Sequence, residues 1–374
     1  MTNPDYELVA TQASYYSAKV RACLQYKRIP YTEIGCNFHT ILERVIPATG
    51  DHFFPVVFCP NGEILKDSCD IVEALERLHP NRPVMPEDPE LSIIASFLEL
   101  VADELFAIPM IYYRWVPEDT REWALQLFKT LPAIGVKKPE YLQLAEDMSL
   151  EIANGVQDRI KKVGQDREEI HQASIKITEK FCDLLDAHLK ETPFMLGGRP
   201  CLADLGLMNG MFGHLYHDPC DASNYIRRHC LHLARWIENM HSAAGISDQG
   251  ELYLADTMKD VLRYLTSVFG HMALETLNAG NERLPKVEAD TGEPVKPGIA
   301  KIETFLDDVP LTRPATTYVA WRLQRVIDIY QAIPEAQKSS TDELLEDIGL
   351  KSICQFQVNW RMEKKEYKLY LTSY

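Results

Sequence analysis

The chain has 374 residues, a net charge of −16, 46% hydrophobic and 25% charged residues. That composition is the signature of a folded protein of two or three domains, and the acidic surplus excludes a general nucleic-acid or anionic-membrane binder. No apolar run approaches the roughly 18–20 residues that span a bilayer, and Met1-Thr2-Asn3-Pro4-Asp5-Tyr6 lacks the basic start and apolar stretch of a signal peptide. Nine cysteines, an odd number without metal-ligand spacing, point to buried thiols in a reducing, cytoplasmic compartment and to no structural metal.

The first strand is expected over Tyr6-Glu7-Leu8-Val9-Ala10. A polar turn, Ser14-Tyr15-Tyr16-Ser17, then opens a helix that runs to about Arg28. The first turn of a helix offers unpaired N–H groups to an anion such as a thiolate. A Cys-x-x-Cys here reads as a thioredoxin-like redox motif. With Ser14 and Ser17 at its two ends no disulfide forms, but a serine hydroxyl still donates to a bound thiolate and favours its charged form. Second and third strands are expected over Tyr31–Ile34 and Phe53–Phe58. Asn61-Gly62 is a hairpin turn into a fourth strand, Glu63–Leu65. Asp67-Ser68 caps a helix over Cys69–Leu78; by itself this is a plain N-cap.

Two proline-rich segments, Pro80–Pro83 and Pro86–Pro89, form a linker. One long helix is expected from Leu91 to about Tyr113. Residues 116–168 are polar and read as an insertion with a helix near 141–160, followed by a helix near 170–190. In Phe194–Asp204 a turn leads to a capping box, with Cys201 where Ser or Thr is usual and Asp204 at the third helical position. His214, His217 and Asp218 share a helical face, for which a polar helix end is the preferred reading over a metal site. Beyond residue 250 the expectation is a helix over Leu252–Leu277, a loop over 278–299, a helix over Thr316–Ile333 carrying Arg322 and Arg325, and a terminal β-hairpin. Its strands alternate at Phe356, Val358, Trp360 and at Tyr367, Leu369, Leu371, across Glu363–Glu366.

As a set, the Ser14 turn, Pro55 opening the third strand, Asp67-Ser68 and the Phe194–Asp204 signature resemble the glutathione transferase family of the serine type over about residues 5–245. The resemblance implies an α+β protein. A thioredoxin-like (glutaredoxin-like) α/β domain covers 1–80, an all-α domain 90–250, and an extension without a family role 251–374. It implies that Ser14 donates to the glutathione thiolate and that the Phe54 backbone, before a cis Pro55, binds the cysteinyl part. Asp67 and Ser68 would hold the γ-glutamyl end. Phe53 stands where the family often carries Lys or Gln for the glycyl carboxylate. Phe106, Met110 and Tyr113 are candidates for a second-substrate pocket, with core packing as the alternative. The implied chemistry is attack of the glutathione thiol on a small hydrophobic electrophile, in a homodimer, with glutathione as co-substrate. A non-catalytic binding or scaffold protein of the same fold is the alternative.

Overall fold

A computed structural model describes residues 5–373. Its first strand, β1 (Tyr6–Ala10), runs parallel to β2 (Tyr31–Gly35), with Tyr6 opposite Tyr31 and Ala10 opposite Gly35. A parallel pair needs a crossover, and α1 (Ser17–Tyr26) supplies it. The antiparallel strands β3 (Val56–Phe58) and β4 (Ile64–Lys66) complete a sheet of order β2-β1-β3-β4. Successive residues of β1 face opposite sides, as a pleated strand requires. Leu8 joins the main core, and Val9 a small satellite core with Cys36, Val45 and Val56. α2 (Ser68–Leu78) follows β4 at once, and Asp67, at φ 68°, caps it by accepting from Cys69 N at 3.0 Å. This is the thioredoxin-like domain expected from the sequence.

The long helix expected over 91–113 is two helices, α3 (Pro89–Glu104) and α4 (Ala107–Trp115). Pro109 has no N–H to return to the Leu105 carbonyl, so the helical ladder cannot run through unbroken. The 116–168 insertion is a helix pair, α5 (Glu118–Ala133) and α6 (Pro139–Lys162), of which only the second was expected. It has its own small core around Trp115, Ala124, Ala153 and Ile160. Next comes α7 (Glu168–Glu191), then α8 (Leu202–Gly210), buried along its whole length. A Cβ on Gly206 of α8 would sit 2.8 Å from Glu99 Cα, so this glycine lets α8 lie directly on α3. The capping box forms: Asp204 accepts from Cys201 N at 3.0 Å. α8 runs on as a wider-wound turn over Met211–Tyr216, followed by α9 (Asp221–His229) and α10 (Leu231–His241).

The last third is woven into this body. α11 (Asp256–Arg283) buries Val261, Leu265, Phe269 and Met272, with the Phe269 ring 6.1 Å from that of Phe97 on α3. The segment expected as a loop over 278–299 holds the last turns of α11 and the start of an unanticipated ribbon, β5 (Gly298–Leu306) and β6 (Val309–Thr316). α12 (Thr317–Gln331) packs along α3, and α13 (Glu335–Asp347) follows. The terminal hairpin is present but shifted: its strands are β7 (Arg361–Lys365) and β8 (Lys368–Thr372), and its turn is Glu366-Tyr367. Phe356, Val358 and Trp360 precede it; Trp360 seats against Gly280 of α11. One contiguous core runs from Leu8 to Leu371 through all three stretches.

Candidate functional site

The turn after β1 is held from outside its own domain. Arg114 of α4 donates to the Ala13 carbonyl at 3.0 Å and the Gly213 carbonyl at 2.9 Å, while Asp218 accepts from it at 2.6 and 2.7 Å. Burial works against ionisation of Asp218, but His217 and the Arg114 guanidinium hold its carboxyl below the usual range. Asp218 is thus a structural anchor, which accounts for one of the three residues whose spacing resembles a metal site. The Ser14 side chain faces inward along the chain: its Oγ accepts from Ser17 N at 3.3 Å. Tyr15 donates to the Ala102 carbonyl on α3. Tyr16, the next residue, is 41% exposed and lines a cavity of about 380 Å³.

Five elements wall that cavity together with Tyr16. Phe54 and Pro55, joined by a cis peptide, form one side with the exposed Phe53. Asp67 and Ser68, at the start of α2, form the end. Asp103 and Glu104, the last residues of α3, face Tyr16, and Tyr318 of α12 and Tyr367 of the terminal hairpin close the remainder. Lys66 also lines it, paired with Asp51 at 2.7 Å. Lost hydration in the cleft, then Asp103 and Glu104, raise the Tyr16 hydroxyl, so it stays protonated and available as a donor. Burial likewise raises Glu104 and Asp103, although Lys19 and Arg322 oppose it at Asp103.

Four expected site residues therefore meet in one place: Phe54, Pro55, Asp67 and Ser68. Ser14 is not among the lining residues; its Oγ accepts from Ser17 N within the turn, and Tyr16 lines the cavity. Phe106, Met110 and Tyr113 are 1, 1 and 4% exposed and belong to the core. The Phe106 ring lies 4.3 Å from that of Phe181, tilted by 36°, and Met110 fills the space over Gly210.

Behind the cavity lies a buried charge cluster. Glu99 of α3 pairs with both Lys19 of α1 and Arg322 of α12. Arg322 also pairs with Asp103 at 3.2 Å and lies 2.7 Å from Cys69 Sγ. Burial opposes ionisation of Glu99, but its two cations hold it low. Burial pushes the Cys69 thiol up to about 12. Arg325 pairs with Glu73. Both arginines of α12 are therefore taken up within the protein rather than by an acidic substrate.

The terminal hairpin reaches the same end of the cavity. Lys364 pairs with Asp67 at 2.8 Å and Asp70 at 2.9 Å. Burial works against Asp67 as an anion, but this ammonium more than offsets it and the carboxyl is held below its usual range. Tyr367 donates to the Ile64 carbonyl at 2.7 Å. Nothing local in the sequence pointed to Tyr16 over Ser14, or to Lys364 and Tyr367. The helical register of Tyr318, Arg322 and Arg325 was the one available signal from the extension.

No helix of the described residues is long and apolar enough to cross a membrane. No curated protein matches the chain. Among solved structures it is similar to the β-etherase LigF from Sphingobium sp. strain SYK-6, at 16% identity over 70% of this chain and 98% of that one, with a TM-score of 0.43. FzlA from C. crescentus is similar at 14% identity over 69% and 99%, TM-score 0.40. A glutathione S-transferase of Ceriporiopsis subvermispora in complex with glutathione is similar at 17% identity over 65% and 99%, TM-score 0.40. Residues 8–83 match the family model described as glutathione S-transferase, N-terminal domain. Residues 8–83, which carry the thioredoxin-like sheet, are thus similar to the N-terminal domain of the glutathione S-transferases.

Proposed function

We propose that the protein binds glutathione in this cavity and activates its thiol for attack on a small hydrophobic electrophile. One observation carries the reading: the Phe54–Pro55 edge, the Asp67-Ser68 helix start and Tyr16 line a single cavity. An extended backbone edge suits the peptide groups of a thiol tripeptide, and a helix N-terminus suits its carboxylate. In this reading Tyr16, not Ser14, donates to the thiol, and Ser14 shapes the turn that aims it. A hydroxyl donor favours the thiolate, which is the nucleophile. The electrophile would enter against Phe53, Tyr318 and the ends of α3, since Phe106, Met110 and Tyr113 are closed into the core. A homodimer in a reducing, cytoplasmic setting is part of the same proposal, and light scattering tests the dimer.

The experiment is a calorimetric titration with reduced glutathione, on the wild-type protein and on Ser68→Ala. Saturable binding weakened by the substitution supports the reading, and no heat up to millimolar ligand removes it. The pairing of Asp67 with Lys364 favours a second reading, a binding protein of this fold without turnover. Saturable glutathione binding with no conjugation across a panel of model electrophiles would select that one.

A further inference from the structure

Asp67, at the end of the cavity, is already paired with a cation that the chain supplies itself. Lys364 Nζ lies 2.8 Å from Asp67 Oδ2 and 2.9 Å from Asp70 Oδ2, and 5.1 Å from the ring centres of both Tyr318 and Trp321. Its side chain is 8% exposed. Two carboxylates and two aromatic faces are the surroundings that a protein builds for an ammonium group. The other oxygen of Asp67 is also committed, to Cys69 N at 3.0 Å and the Tyr318 hydroxyl at 3.3 Å. The hairpin is also tied down away from Asp67, by Arg361 to Asp328 at 2.7 Å and by Met362 N to Gln324 Oε1 at 2.9 Å. Asp67 is the partner that lines the cavity, and Asp70 is not.

The hairpin that carries Lys364 has a tight turn beside the cavity. Both turn residues, Glu366 and Tyr367, have left-handed backbones, at φ 48° and 65°, where residues other than glycine are uncommon. Tyr367 closes the turn over the cavity wall through its bond to the Ile64 carbonyl.

We propose that Lys364 is a specificity-determining residue that stands in for the α-ammonium of the ligand's acyl end. The inference rests on the glutathione reading of this site and refines its substrate class. A γ-glutamyl group brings its own ammonium, which meets Lys364 in competition for Asp67. A thiol tripeptide whose acyl end carries a carboxylate or methylene but no amino group leaves the Lys364–Asp67 pair intact. The preferred ligand is therefore the des-amino class, and glutathione binds only by displacing Lys364.

The test is calorimetry with glutathione and with glutaryl-cysteinylglycine, on the full-length wild-type protein and on Lys364→Met. The expected result is a wild-type preference for the des-amino thiol of roughly ten- to hundredfold, the range of one charged hydrogen bond. In Lys364→Met that preference should vanish or reverse. Equal affinities on the wild-type protein, or a preference that Lys364→Met leaves unchanged, overturn the proposal. The wild-type comparison decides by itself should the variant fold poorly. If neither thiol binds the folded wild-type protein, the glutathione reading itself falls and this inference falls with it, an outcome distinct from equal binding.

Discussion

Arg322 and Glu99 form an ion pair that water scarcely reaches, with side chains 3% and 6% exposed, and it joins the last third of the chain to α3. Replacing Arg322 with Met leaves Glu99 paired with Lys19 and takes from Asp103 its partner in the pair with Arg322. Removing one partner of a buried pair costs about 3–5 kcal/mol, because the charge left behind stays desolvated. Urea unfolding of Arg322→Met should show a loss of that size. A loss under about 1 kcal/mol would mean that the extension is held by apolar packing and that the cluster is incidental.

Tyr16 and Ser14 make opposite predictions in a conjugation assay. If Tyr16 is the donor to the thiolate, Tyr16→Phe lowers turnover about 10²–10³-fold, the effect of removing one preorganised donor. Ser14→Ala, which removes an acceptor for Ser17 N, should cost stability of about 0.5–2 kcal/mol and far less turnover. The reverse order of the two variants would restore the role that the family resemblance assigns to Ser14.

The floor under this turn is also testable. A Cβ at Gly213 would stand 2.9 Å from the Ser14 carbonyl oxygen and 3.2 Å from Tyr15 Cα. Gly213→Ala must push the turn away from the helix beneath it, at a cost of about 1–3 kcal/mol. Glutathione affinity should fall along with the melting temperature. A well-folded variant with wild-type affinity would show that the turn tolerates displacement.

Asp204 gives a pH signature. Burial pushes its carboxyl from 3.8 to about 6, against donors from Met195 N, Cys201 N and Trp236 Nε1 at 3.0–3.1 Å. Between these two values the folded protein keeps a proton that the unfolded chain has released. The stabilisation is complete below the lower value and is lost as pH rises through the upper one, by up to about 3 kcal/mol. Unfolding of the wild type and of Asp204→Asn at pH 4.5 and 6.5 isolates this share. The wild-type advantage should be smaller at pH 6.5, and a larger one there would reverse the sign.

The cap of α8 offers a stabilising change. Cys201 is fully buried at the N-cap, and sulfur accepts a hydrogen bond poorly. Cys201→Ser should raise stability by about 0.5–1 kcal/mol. A thermal melt without gain would show that the lost sulfur volume outweighs the better acceptor.

What the sequence revealed depended on whether the signal was local. β1, the Ser14 turn, Pro55 and the Asp67 cap announce themselves within a few residues, and the first domain was legible from them. β5 was legible in principle, since Ile302, Thr304 and Leu306 are buried while Lys301, Glu303 and Phe305 between them are exposed, a period of two. Its partner β6 carries Pro310 and Pro314, which masked the pairing. The choice between Ser14 and Tyr16 turns on the rotation of one short loop, and that rotation is set by Arg114, a hundred residues later. Lys364 and Asp67 are 297 positions apart, so no window on the sequence contains both.

The cavity's walls span almost the entire chain, from Tyr16 to Tyr367. During synthesis at about 5–20 residues per second, tens of seconds separate the emergence of the Glu104 wall from that of Tyr318 and Tyr367. A nascent chain that already has its complete four-stranded sheet still lacks the surface that would close over a ligand. A chain that lacks residues 355–374 keeps the sheet and leaves this cavity without its Tyr367 wall.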